Sequence, residues 1–249
     1  WEGDARPTLA IGNYVDRSDP NGPFEACDKN AILIPTDTGY ASQALSPSFC
    51  PLSILAANDA RGLPALRFSN DRHYYVKDGY EQMWDIAERR FLGTADGWNT
   101  VSLWGMGIAS RDLTGDGRDE VMLTSMGDQL LQIAGNNGQY TAAPYNIGSY
   151  AQRPHVGDDG RPSTGWHAEF GDINNDGLAD LFIAKGNVDQ MPGMAMRDPN
   201  NLLMQTATGT FVETATTAGV ATTDRSRGAA LADFDQDGRV DLIVVNRRA

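Results

Sequence analysis

Positive charge is scarce in this sequence. Its 249 residues carry 20 Lys and Arg against 33 Asp and Glu, a formal net charge of −13. Nucleic acid and anionic lipid are held through a Lys/Arg footprint, so neither is an expected partner. Long apolar runs are also missing: no stretch of about 18 apolar residues occurs, and no membrane span is expected. There are three histidines, His73, His155 and His167. No G-x-S-x-G, H-E-x-x-H or P-loop pattern accompanies them. There are two cysteines, Cys27 and Cys50, with no CxxC or Cys/His cluster, which argues against zinc and thiol redox chemistry. Disorder is excluded by an apolar fraction of 41% with ample Val, Leu and Ile. The length fits one large all-β domain, 1–249.

The segment between the cysteines holds Pro35, Gly39 and Pro47 and shows poor periodicity, so it reads as a loop or a decorated hairpin. A Cys27–Cys50 bridge would close 23 residues, worth roughly 3 kcal/mol in the chain-entropy model. The competing reading is two unrelated buried thiols.

What the sequence does contain is a repeat. Three segments align without gaps: Asp112-Leu-Thr-Gly-Asp-Gly-Arg-Asp-Glu120, Asp172-Ile-Asn-Asn-Asp-Gly-Leu-Ala-Asp180 and Asp233-Phe-Asp-Gln-Asp-Gly-Arg-Val-Asp241. The first residues of these segments are 60 and 61 positions apart. Each copy follows small and apolar residues and precedes a β-rich run: Val121-Met-Leu-Thr, Leu181-Phe-Ile-Ala and Leu242-Ile-Val-Val. The unit is strand, acidic turn, strand. One period earlier, 57–65 keeps the frame but holds only Asp59, with Arg61 at a ligand position, and is expected to bind nothing. One further step back, Asp4 to Thr8 and the strand Leu9-Ala-Ile-Gly read as the tail of another copy. Two more strands fit between turns, such as those around 201–205 and 210–213, or 130–133 and 140–143, with a weaker equivalent at 80–84. Four strands per repeat is the pattern of a β-propeller blade. The expected fold is therefore an all-β propeller of four-stranded antiparallel blades. Four to five blades are present, as a small ring or part of a larger one, in units near 1–56, 57–111, 112–171, 172–232 and 233–249. The stretches 151–165 and 188–199 read as rim loops.

The acidic turn has its own chemistry. Positions one, three, five and nine can wrap side-chain oxygens around one point, the carbonyl of position seven adds another, and Gly at position six permits the sharp turn. Hard oxygen donors in this number suit Ca²⁺. The bland reading is a hairpin turn whose Asp side chains cap backbone amides; three copies in register favour metal. An EF-hand does not fit, because position twelve falls on Leu123, Ile183 and Val244 within apolar strands. Carboxylate count ranks 233–241 first, ahead of 172–180 and 112–120.

These turns resemble the calcium loops of FG-GAP/VCBS repeats, as in the integrin α-subunit propeller. Asp198-Pro-Asn-Asn-Leu-Leu and Gly228-Ala-Ala-Leu-Ala-Asp-Phe-Asp-Gln-Asp-Gly-Arg further resemble bacterial relatives of cartilage acidic protein, the ASPIC/UnbV group. The resemblance implies a propeller, about three structural Ca²⁺ ions, a secreted, periplasmic or cell-surface location, and an adhesive or scaffolding role. The implied ligands are Asp112, Thr114, Asp116 and Glu120; Asp172, Asn174, Asp176 and Asp180; and Asp233, Asp235, Asp237 and Asp241. The carbonyls of Arg118, Leu178 and Arg239 complete the sets.

The leading expectation is a non-enzymatic, calcium-binding extracellular module for a protein or glycan ligand at the cell surface. A glycan-active lyase or hydrolase would instead require a rim cleft with His or Arg. Trp98, Trp104 and Trp166 would be its stacking platform, against the reading that they pack between blades. Asp158-Asp159-Gly160 lies outside the metal turns and reads as a surface turn. A third expectation is a structural subunit that self-associates.

Overall fold

The computed structural model describes residues 6–20, 26–71, 79–127, 129–150, 161–188 and 191–247. Among the described residues, seventeen strands form five antiparallel sheets in chain order. The first sheet holds β1 (Leu9–Ile11), β2 (Asn30–Thr36) and β3 (Gly39–Leu45). The second holds β4 (Pro51–Asn58), β5 (Pro64–Asn70), β6 (Gln82–Asp85) and β7 (Arg90–Phe91). The third holds β8 (Gly105–Arg111), β9 (Glu120–Ser125), β10 (Leu130–Ala134) and β11 (Tyr140–Ala142). The fourth holds β12 (Gly165–Gly171), β13 (Asp180–Lys185), β14 (Asn201–Gln205) and β15 (Phe211–Glu213). β16 (Ser226–Ala232) and β17 (Asp241–Asn246) form the last hairpin. The α-helix content of the described residues is one turn, α1 (Ala215–Ala218). No helix among the described residues is long and apolar enough to cross a membrane.

Each four-stranded sheet is a meander whose first two strands are joined by a turn of the acidic repeat. Units cut at those turns therefore divide a sheet between its first and second strands; the sheets themselves open at residues 51, 105, 165 and 226. The segment between the cysteines resolves as the β2–β3 hairpin, seven residues per strand.

Sheets pack face to face in sequence order, which makes them blades of a propeller. Four apolar clusters fill the four junctions. Ile32 and Leu45 meet Leu66, Phe68 and Trp84; Ala65 and Met83 meet Val121 and Leu123. Met122 and Leu131 meet Leu181, Ile183 and Leu203; Phe182 and Ala184 meet Ala229, Leu231, Leu242 and Val244. The period of two along a strand explains this division: on β13, residues 181 and 183 face the preceding sheet while 182 and 184 face the following one. Both faces are covered, so β9 and β13 carry continuous apolar runs, Val121–Leu123 and Leu181–Ala184, rather than alternating ones. On β17 the equivalents of Phe182 and Ala184 are Ile243 and Val245, 50% and 62% exposed.

A second device repeats at the blade junctions. In the first four sheets a backbone N–H at or just beyond the end of one strand donates to a fully buried side chain at, or one residue before, the start of the next. The pairs are Asn13 to Asn30 Oδ1 (2.9 Å), Asn70 to Glu81 Oε1 (3.0 Å), Ser125 to Gln129 Oε1 (3.2 Å) and Lys185 to Asn200 Oδ1 (2.8 Å). In the first of these the donor lies just beyond β1; Asp4, where the sequence suggests an earlier turn copy, falls outside the described residues. The following sheet's first strand passes close to this side chain. A Cβ on Gly105 would lie 2.6 Å from Glu81 Oε1, so only glycine fits there.

Pro51 pairs with Asn70 as Gly105 pairs with Ser125, and the residue before it, Cys50, is disulfide-bonded to Cys27, with Cα atoms 5.0 Å apart. The bridge ties the first sheet to the second. Replacing both cysteines with serine is expected to cost roughly 3 kcal/mol of stability in urea unfolding; unchanged stability would mean the apolar junction suffices alone.

Candidate metal centre

The three acidic turns share one hydrogen-bond scheme, set by backbone N–H groups that the tight turn leaves free of strand pairing. The position-one carboxylate accepts from positions five and six. Asp112 takes Asp116 N–H (3.2 Å) and Gly117 N–H (2.8 Å); Asp172 takes Asp176 and Gly177 N–H, both at 2.9 Å. Asp233 takes Asp237 (3.0 Å) and Gly238 (2.9 Å). Position five accepts from position seven: Asp116 from Arg118 (2.9 Å), Asp176 from Leu178 (2.8 Å) and Asp237 from Arg239 (2.9 Å). Asn174 Oδ1 and Asp235 Oδ1 accept from position five, both at 3.1 Å. The glycines at position six, Gly117, Gly177 and Gly238, have φ of 82, 85 and 84°, as the motif requires. Position four is also left-handed, at Gly115 (73°), Asn175 (58°) and Gln236 (63°); Gly and Asn were a readable signal for this, and Gln was not.

Position nine closes the turn from inside. Glu120, Asp180 and Asp241 accept the N–H of Leu113 (2.8 Å), Ile173 (3.0 Å) and Phe234 (3.0 Å). Glu120 and Asp180 are fully buried, and burial pushes both carboxyls above their ordinary pKa. At Asp112 burial acts the same way but is outweighed by the N–H donors of Gly117, Gly115 and Asp116, which hold its pKa down.

Asp233, Asp235 and Asp237 are exposed and bring one oxygen each within 4.8 Å of one another. That donor set is hard, anionic and open to solvent, and it fits Ca²⁺ by its chemistry. In the first turn Arg118 pairs with Asp116 at 2.7 Å, a local cation that an incoming ion would have to displace.

In the degenerate turn at 57–65 an internal cation holds the carboxylates. Arg61 Nε lies 2.7 Å from Asp59 Oδ2, and its Nη2 lies 2.9 Å from Asp85 Oδ2. Asp59 Oδ1 accepts the N–H groups of Arg61 (2.8 Å) and Leu63 (3.0 Å), so the hairpin is fixed by its own side chains.

The turns are also linked across blades. Gln205 Oε1 accepts Ala179 N–H (3.0 Å), and its Nε2 reaches Leu113 O (3.4 Å) in the preceding turn. Asn175 Nδ2 donates to Gly238 O (3.2 Å) in the following one.

The candidate catalytic groups lie elsewhere. His73, His155 and Asp158-Asp159-Gly160 fall outside the described residues. His167 sits 3.4 Å from Glu169 on β12. Lys185 Nζ lies 2.9 Å from Ser163 Oγ and 3.3 Å from Asp198 Oδ1, a constellation sequence reading missed. Its three members are 0%, 2% and 1% exposed, which closes it to a substrate and makes it a strut inside the fourth blade. Trp98 is buried between the second and third sheets, with the Arg67 guanidinium 5.0 Å from its ring. Trp166 is covered by Arg227 of the last hairpin at 4.3 Å, and Trp104 is 37% exposed. Trp98 and Trp166 thus serve blade packing.

Comparison with known proteins fits this geometry. The family model of the FG-GAP-like repeat matches residues 112–183 and 186–244. Cartilage acidic protein 1 of Mus musculus is 29% identical over 151 residues, 57% of this chain. The chain spans about a fifth, 21%, of that relative's length.

Proposed function

This chain belongs to the FG-GAP-like repeat family, and on that premise we propose that it is a calcium-stabilised, non-enzymatic propeller module acting outside the cell, where it binds a protein or glycan. The observation that carries the reading is the exposed convergence of Asp233, Asp235 and Asp237 in a turn whose position-one carboxylate is held by the same two N–H groups in two further copies. Calcium is held by the side chains of positions one, three, five and nine and by the carbonyls of Arg118, Leu178 and Arg239. It neutralises clustered carboxylates at the turn between the first two strands of a blade, and so stiffens the face that presents the loops. The Cys27–Cys50 bridge suits an oxidising, extracytoplasmic compartment. The acidic surface directs the module toward neutral or basic partners rather than nucleic acid.

The test is binding of the purified chain to arrayed glycans and extracellular-matrix proteins, with calcium and with EGTA. Calcium-dependent retention on a defined partner, without turnover of it, is the expected result. Cleavage of an arrayed glycan would overturn the non-enzymatic assignment.

A further inference from the structure

Asn175 lies between two candidate ligands, Asn174 and Asp176, at position four of its turn, in a left-handed conformation (φ 58°) that asparagine tolerates. Its amide crosses to the next blade and donates to Gly238 O at 3.2 Å, 63 residues along the chain. That carbonyl belongs to the Gly238–Arg239 peptide, whose N–H donates to Asp237 Oδ1 at 2.9 Å. Gly238's own N–H donates to Asp233 Oδ2 at 2.9 Å. The two peptides flanking Gly238 are therefore held on one side by candidate ligands of 233–241 and on the other by a residue of 172–180. The next carbonyl, that of Arg239, is the position-seven ligand.

We propose that Asn175 is a positioning residue for the neighbouring metal turn: it fixes the Gly238–Arg239 peptide in its ion-binding orientation, so that 172–180 and 233–241 take up calcium as a positively coupled pair. The inference rests on the calcium reading above. An ion at 172–180 fixes the residues on both sides of Asn175, and the ordered amide then lowers the entropy lost when the next turn closes on its own ion. Repulsion between two divalent ions acts in the opposite direction, but it does not depend on Asn175, so a mutant cycle separates the two. Gly115 holds the equivalent position in 112–120 with φ 73°, so Asn175→Gly keeps the backbone and removes only the link.

The experiment is calorimetric titration of metal-stripped full chain with Ca²⁺, in a background where Asp112→Asn silences the first turn. Four chains are compared: the parent, Asn175→Gly, Asp172→Asn and the double variant, with Asp176→Asn as a second way to silence 172–180. Silencing 172–180 should weaken the site at 233–241 about three- to tenfold when Asn175 is present, the range of one hydrogen bond, and less than about twofold when it is Gly. Equal weakening in both backgrounds, or none in either, overturns the coupling while leaving the calcium reading intact. Absence of calcium uptake by the parent chain overturns both.

Discussion

Excess EGTA is expected to lower the melting temperature of this protein by roughly 15 °C or more, and to do so unevenly along the chain. At an ion concentration a hundredfold above Kd, each occupied site adds roughly 2.7 kcal/mol, and three sites together add roughly 8 kcal/mol. For a chain this long, each kcal/mol moves the midpoint by roughly 2–4 °C. The unevenness follows from the turns. The second blade has Arg61 bridging Asp59 and Asp85 where an ion would sit, and the disulfide ties it to the first sheet. Neither feature depends on calcium. The third and fourth blades and the last hairpin carry the intact turns, where ion removal leaves like charges clustered around two peptides of a tight bend. Hydrogen exchange should therefore accelerate first at 112–120, 172–180 and 233–241 and in β9, β13 and β17, with β4 and β5 changed last. An unchanged melt of metal-stripped protein would reduce the turns to plain acidic hairpins.

The second large effect concerns Glu81 and has a definite sign with pH. Three of the four buried junction acceptors are amides, Asn30, Gln129 and Asn200; Glu81 alone among them is a carboxyl. Burial pushes its pKa from the ordinary 4.5 up to about 8, while Asn70 N–H and the buried Arg67 pull the other way. Between those two pH values the folded chain binds a proton that the unfolded chain does not. Glu81 therefore lowers stability progressively as pH rises from about 4.5 to about 8, and the loss levels off above that. At about 1.4 kcal/mol per pH unit the full effect is roughly 3–5 kcal/mol. Glu81→Gln keeps the acceptor for Asn70 N–H. Gln129 demonstrates the fit, since its Nε2 also donates to Ser125 O at 3.2 Å. The variant should match the parent near pH 4.5 and exceed it by several kcal/mol at pH 8 and above, in denaturant titrations across that range. Identical pH profiles would contradict the assignment of Glu81 as a buried acid.

The turns and their flanking strands were legible because their chemistry is local: carboxylates, a glycine and a β-branched run lie within fifteen or so residues and repeat in register. The degenerate turn at 57–65 was legible as a hairpin, but not the span it closes, one residue shorter than in the intact turns because Ala57 itself pairs with Ala65, nor the reach of Arg61 to Asp85 across the sheet. The junction hydrogen bonds left no such trace. The acceptor varies among Asn, Glu and Gln, and its separation from the donor is 17, 11, 4 and 15 residues, so no fixed spacing marks it. Nothing in the sequence around Arg67 marks its role. In the structure it is buried, stacked on Trp98 and Tyr140 and bonded to Gln132 of the next blade. Sheet boundaries were displaced by one strand because the repeat is most visible at the turn, whereas hydrogen bonding groups the strand before each turn with the strand after it.

Calcium stoichiometry by equilibrium dialysis, on the stripped full chain and on an Asp233→Ala/Asp237→Ala variant, tests the central claim most directly. The account predicts about three ions per parent chain, one for each intact turn, and one fewer for the variant. No bound calcium on the parent, or equal stoichiometry in both, would contradict it.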